Sequence, residues 1–203
     1  MKGMRHIAVL VLGCVLGLLV GLGRLNPQRR TLYAACTFYL TLVRGTPLLV
    51  QLFLWFFGLP HVGVILPAYV CGILGLGIYS AAYVSEIVRG AIQSIERGQM
   101  EAARSLGLPY RMAMRRVILP QAFVRMIPPL GNNFIAILKD TSLLSVLGVL
   151  EITQRARQFS ASSFKFREGY FVSVFIYLVL VMALSLLLSV LERRMTRDLE
   201  GGR

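Results

Sequence analysis

Two carboxamides in tandem, Asn132 and Asn133, stand inside an apolar run, and the ionic pair Lys139 and Asp140 follows them. A carboxamide carries both donors and an acceptor, so an asparagine can hold either a carboxylate or an ammonium. Polar groups within a membrane are costly and usually line a pathway. Asn132, Asn133, Lys139 and Asp140 are therefore the candidate substrate-pathway residues. Neighbours on a helix point about 100° apart, so at most one of Lys139 and Asp140 faces a pathway directly. Lys139 and Asp140 have the alternative of pairing locally and anchoring the bend that follows. Catalysis has less to work with: His6 and His61 are the only histidines, no His-Glu-x-x-His run occurs, and Asp140 is the sole acid in the central part of its segment. No Gly-Lys dipeptide is present, so the loop that cradles nucleotide phosphates is absent and the energy for any active process must come from another polypeptide. These residues describe a transport chain, with no catalytic, cofactor or metal site of its own.

The segments that must position these groups are apolar. With 56% hydrophobic residues in 203 and a mean hydropathy of +0.69, the chain exceeds what a soluble domain of this size buries. An all-α polytopic membrane protein follows, forming one transmembrane domain over residues 1–203. A first span is expected from His6 to Gly23, with Gly13, Gly17 and Gly21 opening one face to a close helix neighbour. Thr31 to Phe57 is too long for one straight crossing, and Arg44-Gly45-Thr46-Pro47 predicts the break, because proline disfavours helical geometry in the residue before it. Thr31 to Val43 then lies partly at the interface. A turn at Gly58 to Gly63 precedes a third span, Ile65 to Val88, with Glu86 near its end. Gln121 to Leu138, extending as far as Leu150, reads as a fourth span broken by Pro128, Pro129 and Gly131. Glu151 to Glu168 reads as a polar connection, and Tyr170 to Leu191 as the fifth span. Cys14, Cys36 and Cys71 fall in different apolar runs, where packing accounts for them.

Charge sets the orientation. The net charge is +13, but the arginines lie in short blocks between apolar runs, which is a membrane pattern and excludes nucleic acid as the partner. Placing the N-terminus outside and the C-terminus in the cytoplasm puts fourteen basic residues inside against six outside. Residues 89–119 then form a cytoplasmic loop, too polar to span and too long for an ordinary connection. Within it Gly98 and Gly107 bracket a helix of about two turns, Gln99 to Leu106, with Pro109 preventing its continuation. A helix that short needs a surface to pack on, and a cytoplasmic partner would supply it.

That loop reads Glu101-Ala102-Ala103-Arg104-Ser105-Leu106-Gly107 and, nine residues on, Val117-Ile118-Leu119-Pro120. It resembles the EAA motif of ABC importer permeases, with Val117 replacing the usual isoleucine. Arg44-Gly45-Thr46-Pro47-Leu48-Leu49-Val50-Gln51, Ala82-Tyr83-Val84-Ser85-Glu86-Ile87-Val88-Arg89-Gly90 and Leu138-Lys139-Asp140-Thr141-Ser142-Leu143 extend the likeness over nearly the whole chain, in family order. Together they resemble the polar amino-acid branch; Thr41, where an acid often stands, and Tyr79, where asparagine is frequent, depart from it. The resemblance implies a type I ABC importer permease fold in the bacterial inner membrane. It implies that Glu101, Ala102, Ala103, Arg104 and Gly107 dock on a cytoplasmic ABC ATPase dimer, where ATP and Mg are bound. It further implies pairing with a second permease chain, identical or related, and an external solute-binding protein that delivers the amino acid. A permease for another small polar solute and an ion-coupled secondary transporter remain the alternatives. The second is opposed by the odd span count and the lack of an internal repeat.

Overall fold

The computed structural model describes the backbone of residues 2–200 and the side chains of residues 7–193, and every regular element among them is helical. In chain order these are α1 (Lys2–Gly23), α2 (Arg30–Arg44), α3 (Leu48–Phe53), α4 (Leu59–His61), α5 (Ala68–Gln93), α6 (Arg97–Ser105), α7 (Tyr110–Ala113), α8 (Leu119–Asp140), α9 (Ile152–Ser163) and α10 (Phe166–Glu200). π-Helical turns at Leu54–Gly58 and Met114–Ile118 join α3 to α4 and α7 to α8, and a 3-10 segment, Thr141–Leu147, continues α8. The side chain of His6 and the terminal charges at Lys2, Arg5, Arg194, Arg197 and Arg203 lie outside the described residues.

Helix α5 is the central post, packed by α1, α2, α3 and α8. The glycine repeat of α1 explains its part in this. A Cβ on Gly17 would come within 2.6 Å of the Val84 side chain, one on Gly13 within 2.9 Å of Ser80 Oγ, and one on Gly21 within 2.8 Å of the Ser85 carbonyl oxygen. The absence of side chains at these positions lets the two backbones approach, the usual way membrane helices associate. The seam is reciprocal, since Gly77 of α5 makes room for Leu12 of α1.

The predicted break at Arg44 to Pro47 turns α2 and the Leu48–His61 helix by 101°. Pro47 is extended at φ −64°, ψ 136°. Having no N–H, it cannot serve the Val43 carbonyl one turn back. The buried Gln51 does so instead: its Nε2 donates to Val43 O at 2.7 Å, to Thr46 O at 3.1 Å and to Thr46 Oγ1 at 2.8 Å. Thr46 Oγ1 in turn donates to Leu42 O at 2.8 Å, and the Gly45 amide to Thr41 O at 2.9 Å. The corner is thus closed by its own side chains, as burial of backbone polar groups requires.

Two helices are long and apolar enough to cross a membrane, Ala68–Gln93 and Phe166–Arg193; the bent pair, taken as one, makes a third, and Ile7–Gly23 is a shorter apolar helix. None of the apolar window of α10 is buried within the chain, and its Phe175 and Leu186 are exposed on it. One expectation is corrected. Helix α8 is continuous through Pro128 and Pro129, because losing a backbone donor at each is tolerated where α5 and α10 pack against the helix. It ends at Asp140, close to the expected Leu138, and passes into the 3-10 turn that Gly148 closes at φ 77°. The polar stretch from Glu151 to Glu168 contains helix α9, started by the Glu151 side chain, which accepts from the amides of Thr153 at 2.7 Å and Gln154 at 2.6 Å.

Candidate functional site

The loop between α5 and α8 is a built platform. Its root is an apolar cluster of Val88, Ile92 and Ile95 with Ile118, Ala122 and Met126, joined by Met100 of α6. Arg125 ties the start of α8 to the end of α5, donating to Ser94 O at 2.5 Å, and Gln121 reaches Val117 O at 2.9 Å. Helix α6 starts at Arg97, so Gly98 lies inside it, in place of the bracketing position expected. It ends in a Schellman cap: the Gly107 amide donates to Arg104 O at 2.9 Å and the Leu108 amide to Ala103 O at 3.2 Å, with Gly107 at φ 82°.

The five residues singled out on this helix divide. Glu101, Ala102, Arg104 and Gly107 are exposed, whereas Ala103 is only 4% exposed and turns inward, where α6 packs against the Met114–Ile118 turn. Ala103 therefore fixes the helix to its platform and offers no outer contact surface. Leu106 was not singled out from the sequence, yet at 84% exposure it is the largest apolar group standing free at the helix end. Its place after the last helical turn is the signal that would have found it.

The two asparagines also divide. Asn133 donates through Nδ2 to Ser80 Oγ at 3.1 Å and so joins α8 to α5 at the level where Gly13 of α1 crosses. Asn132 is exposed on the chain. At the end of α8, Lys139 is exposed and Asp140 half-buried, within electrostatic reach of Tyr79. Tyr79 and Tyr83 stack one turn apart on α5, with hydroxyls 3.0 Å apart. The Arg44 guanidinium lies over the Tyr83 ring, 5.6 Å from its centre. A polar face thus runs along α5 from Asp140 past Tyr79 and Tyr83 to the corner at Arg44. Beyond it Glu86 accepts from Arg24 on one oxygen and from Arg89, at 2.6 Å, on the other. Arg24 also covers the Tyr33 ring, at 5.7 Å. The sequence marked Glu86 only as the acid near the end of a span; Arg89 reaches it from three residues on along the same helix, and Arg24 is brought to it by the packing of α1 on α5.

A larger cleft, about 780 Å³, opens between the start of α5, the 3-10 turn, α9 and α10. Its walls are mainly apolar, with Ile73, Leu138 and Ile176 among them, and its polar corner is already engaged: Glu151, besides capping α9, accepts from the Tyr177 hydroxyl at 2.9 Å. No group of His, Cys, Asp and Glu able to hold a metal occurs among the described residues.

Residues 13–197 match the family model for the binding-protein-dependent transport system inner membrane component. A probable glutamine ABC transporter permease protein of Bacillus subtilis (strain 168) is 40% identical over 162 residues, covering 80% of this chain and 75% of the relative. An arginine transport system permease protein of the same organism is 36% identical, covering 91% of this chain and 84% of the relative. Among solved structures, a crystal structure of an amino acid ABC transporter with histidines matches at a TM-score of 0.90 and 39% identity, over 94% of this chain and 89% of that one.

Proposed function

We propose, for a chain that belongs to the family of binding-protein-dependent transport system inner membrane components, that it carries polar amino acids into the cell. The chain is the permease subunit of an ABC importer, a transport subunit and not an enzyme, with the ATPase on a separate subunit. The observation that carries the amino-acid reading is the polar face of α5 and α8, which offers carboxamide, carboxylate, phenol and guanidinium groups suited to an amino acid's two charges. The relatives' substrates, glutamine and arginine among them, agree with that chemistry.

In this reading the chain crosses the bacterial inner membrane five times, with the N-terminus outside and the C-terminus in the cytoplasm. Helix α6 rests on one ATPase of a dimer through Glu101, Ala102, Arg104, Gly107 and the added Leu106, while Ala103 and the Gly107 cap hold it rigid. ATP and Mg act on that partner, a second permease completes the pathway, and a binding protein delivers the solute. Asn132, Lys139 and Asp140 are the residues of this chain that meet it, and Asn133 positions α8. The test is reconstitution with the partner ATPase and binding protein: ATP-dependent uptake of labelled glutamine or arginine is expected. Uptake of a sugar or a metal ion in place of every amino acid tried would refute the reading. Reporter fusions at Gly98 should be cytoplasmic and those at His61 and Ser162 external; the cytoplasmic C-terminus at Gly201 lies outside the described residues.

A further inference from the structure

Between α1, α2 and α5 lies a cavity of about 450 Å³ that Asn132, Lys139 and Asp140 do not line, although Arg44 and Tyr83, at the end of the polar face of α5, border it. Its walls are polar: Arg24, Thr37, Thr41, Arg44, Tyr83 and Glu86 surround it. Glu86 has both carboxylate oxygens engaged, one by Arg24 and one by Arg89. Arg44 has no ion pair and no hydrogen bond among the described residues, its guanidinium resting only on the Tyr83 ring. The lining therefore holds two arginines against one acid, and the free cation is held in place by stacking. Two further donors on lining residues, Thr37 Oγ1 and Arg24 Nε, are buried without any partner. Buried donors are nearly always satisfied by protein, water or ligand. A cavity with surplus positive charge and unspent donors has the chemistry of an oxyanion site, since guanidinium groups bind carboxylate and phosphate through paired N–H donors.

We propose that this cavity binds a single oxyanion, a carboxylate or a phosphate, gripped by Arg44 with Thr37 and Arg24 completing the cradle. The carboxylate of a transported amino acid and the phosphate of an anionic lipid headgroup share this chemistry. The site does not depend on Asn132 or Asp140, so it can fail while amino-acid uptake persists, and the reverse.

The test uses the full chain in nanodiscs, with Thr37→Val and Arg44→Gln as variants that leave the Glu86 ion pairs untouched and the exposed Arg30→Gln as a control outside the cavity. In one arm, discs of phosphatidylcholine with phosphatidylglycerol are analysed by native mass spectrometry for retained phosphatidylglycerol. In the other, discs of phosphatidylcholine alone carry a Thr41→Cys reporter, whose alkylation is timed with L-glutamine and with L-glutaminol, which lacks the carboxylate. A lipid ligand gives one tightly kept phosphatidylglycerol that Arg44→Gln loosens about tenfold, with Arg44→Lys restoring part of it. An amino-acid ligand gives protection by glutamine and not by glutaminol, lost in Arg44→Gln. The nearly isosteric Thr37→Val should weaken whichever effect is seen, so the outcome does not hang on a charge change. If neither retention nor protection differs between the wild type and the cavity variants, or if Arg30→Gln has the same effect as Arg44→Gln, the cavity is no oxyanion site.

Discussion

Replacing Gln51 by leucine should loosen the corner between α2 and α3 while leaving the apolar packing around it nearly unchanged. The glutamine is 8% exposed, and its Nε2 serves the carbonyls of Val43 and Thr46 at a point where Pro47 has no N–H to give. Leucine matches the volume approximately but supplies no donor, so the buried Val43 carbonyl loses its partner, while the Thr46 carbonyl, on an exposed residue, can turn to water. Leaving one buried carbonyl unsatisfied costs about 1–3 kcal/mol. At the lower bound a chain of this length would lose about 2 °C in its unfolding midpoint, taking about 2 °C per kcal/mol. The assay is thermal unfolding of the purified permease complex, followed by intrinsic fluorescence, with Val50→Leu as control because Val50 is 48% exposed and points away. Gln51→Glu, which keeps the length but presents acceptors to carbonyl oxygens, should be at least as harmful as the leucine. A Gln51→Leu midpoint equal to that of the wild type would show that water reaches the Val43 carbonyl and that the side chain does not hold the corner.

At Gly107 the penalty is conformational, because a Cβ there meets nothing within 4 Å while φ is 82°. Gly107→Val should therefore lose the coupling of ATP hydrolysis to uptake in liposomes, whereas Gly107→Asn, a residue that tolerates this backbone region, should keep most of it. Asn132→Leu should change the uptake rate or substrate preference without lowering complex stability. Asn133→Leu should instead lower stability by about 1 kcal/mol through loss of the Ser80 contact, as read from the melting midpoint. On the α1 and α5 seam, Gly17→Ala should reduce the yield of folded complex seen by size-exclusion chromatography. Val84→Ala should recover only part of it, since the Ala81 carbonyl also stands 2.9 Å from the added carbon.

Much of this protein is determined locally and can be read from the sequence. Long apolar runs dictate helices in a membrane, Pro47 with Gly45 dictates the corner, and Gly107 before Pro109 dictates where α6 stops, because each is a property of the residue and its nearest neighbours. The glycine repeat of α1 announced a close helix contact for the same reason. What the sequence left open depended on distant residues. That Gly13, Gly17 and Gly21 face α5 follows only from the packing, as does the hydrogen bond from Asn133 to Ser80 of α5 that sets it apart from the exposed Asn132. Pro128 and Pro129 suggested a broken span, yet α8 stays continuous since its neighbours hold it. Ala103 carried the motif's promise of an external contact, but it is buried where α6 packs on its platform, and Leu106 stands outside. Glu86 and Arg89 are neighbours three residues apart on one helix, a local pairing, whereas the meeting of Glu86 with Arg24, and of Arg44 with Tyr83, belongs to the tertiary structure alone. Side chains up to 62 positions apart in the chain become partners only once the helices that carry them have packed.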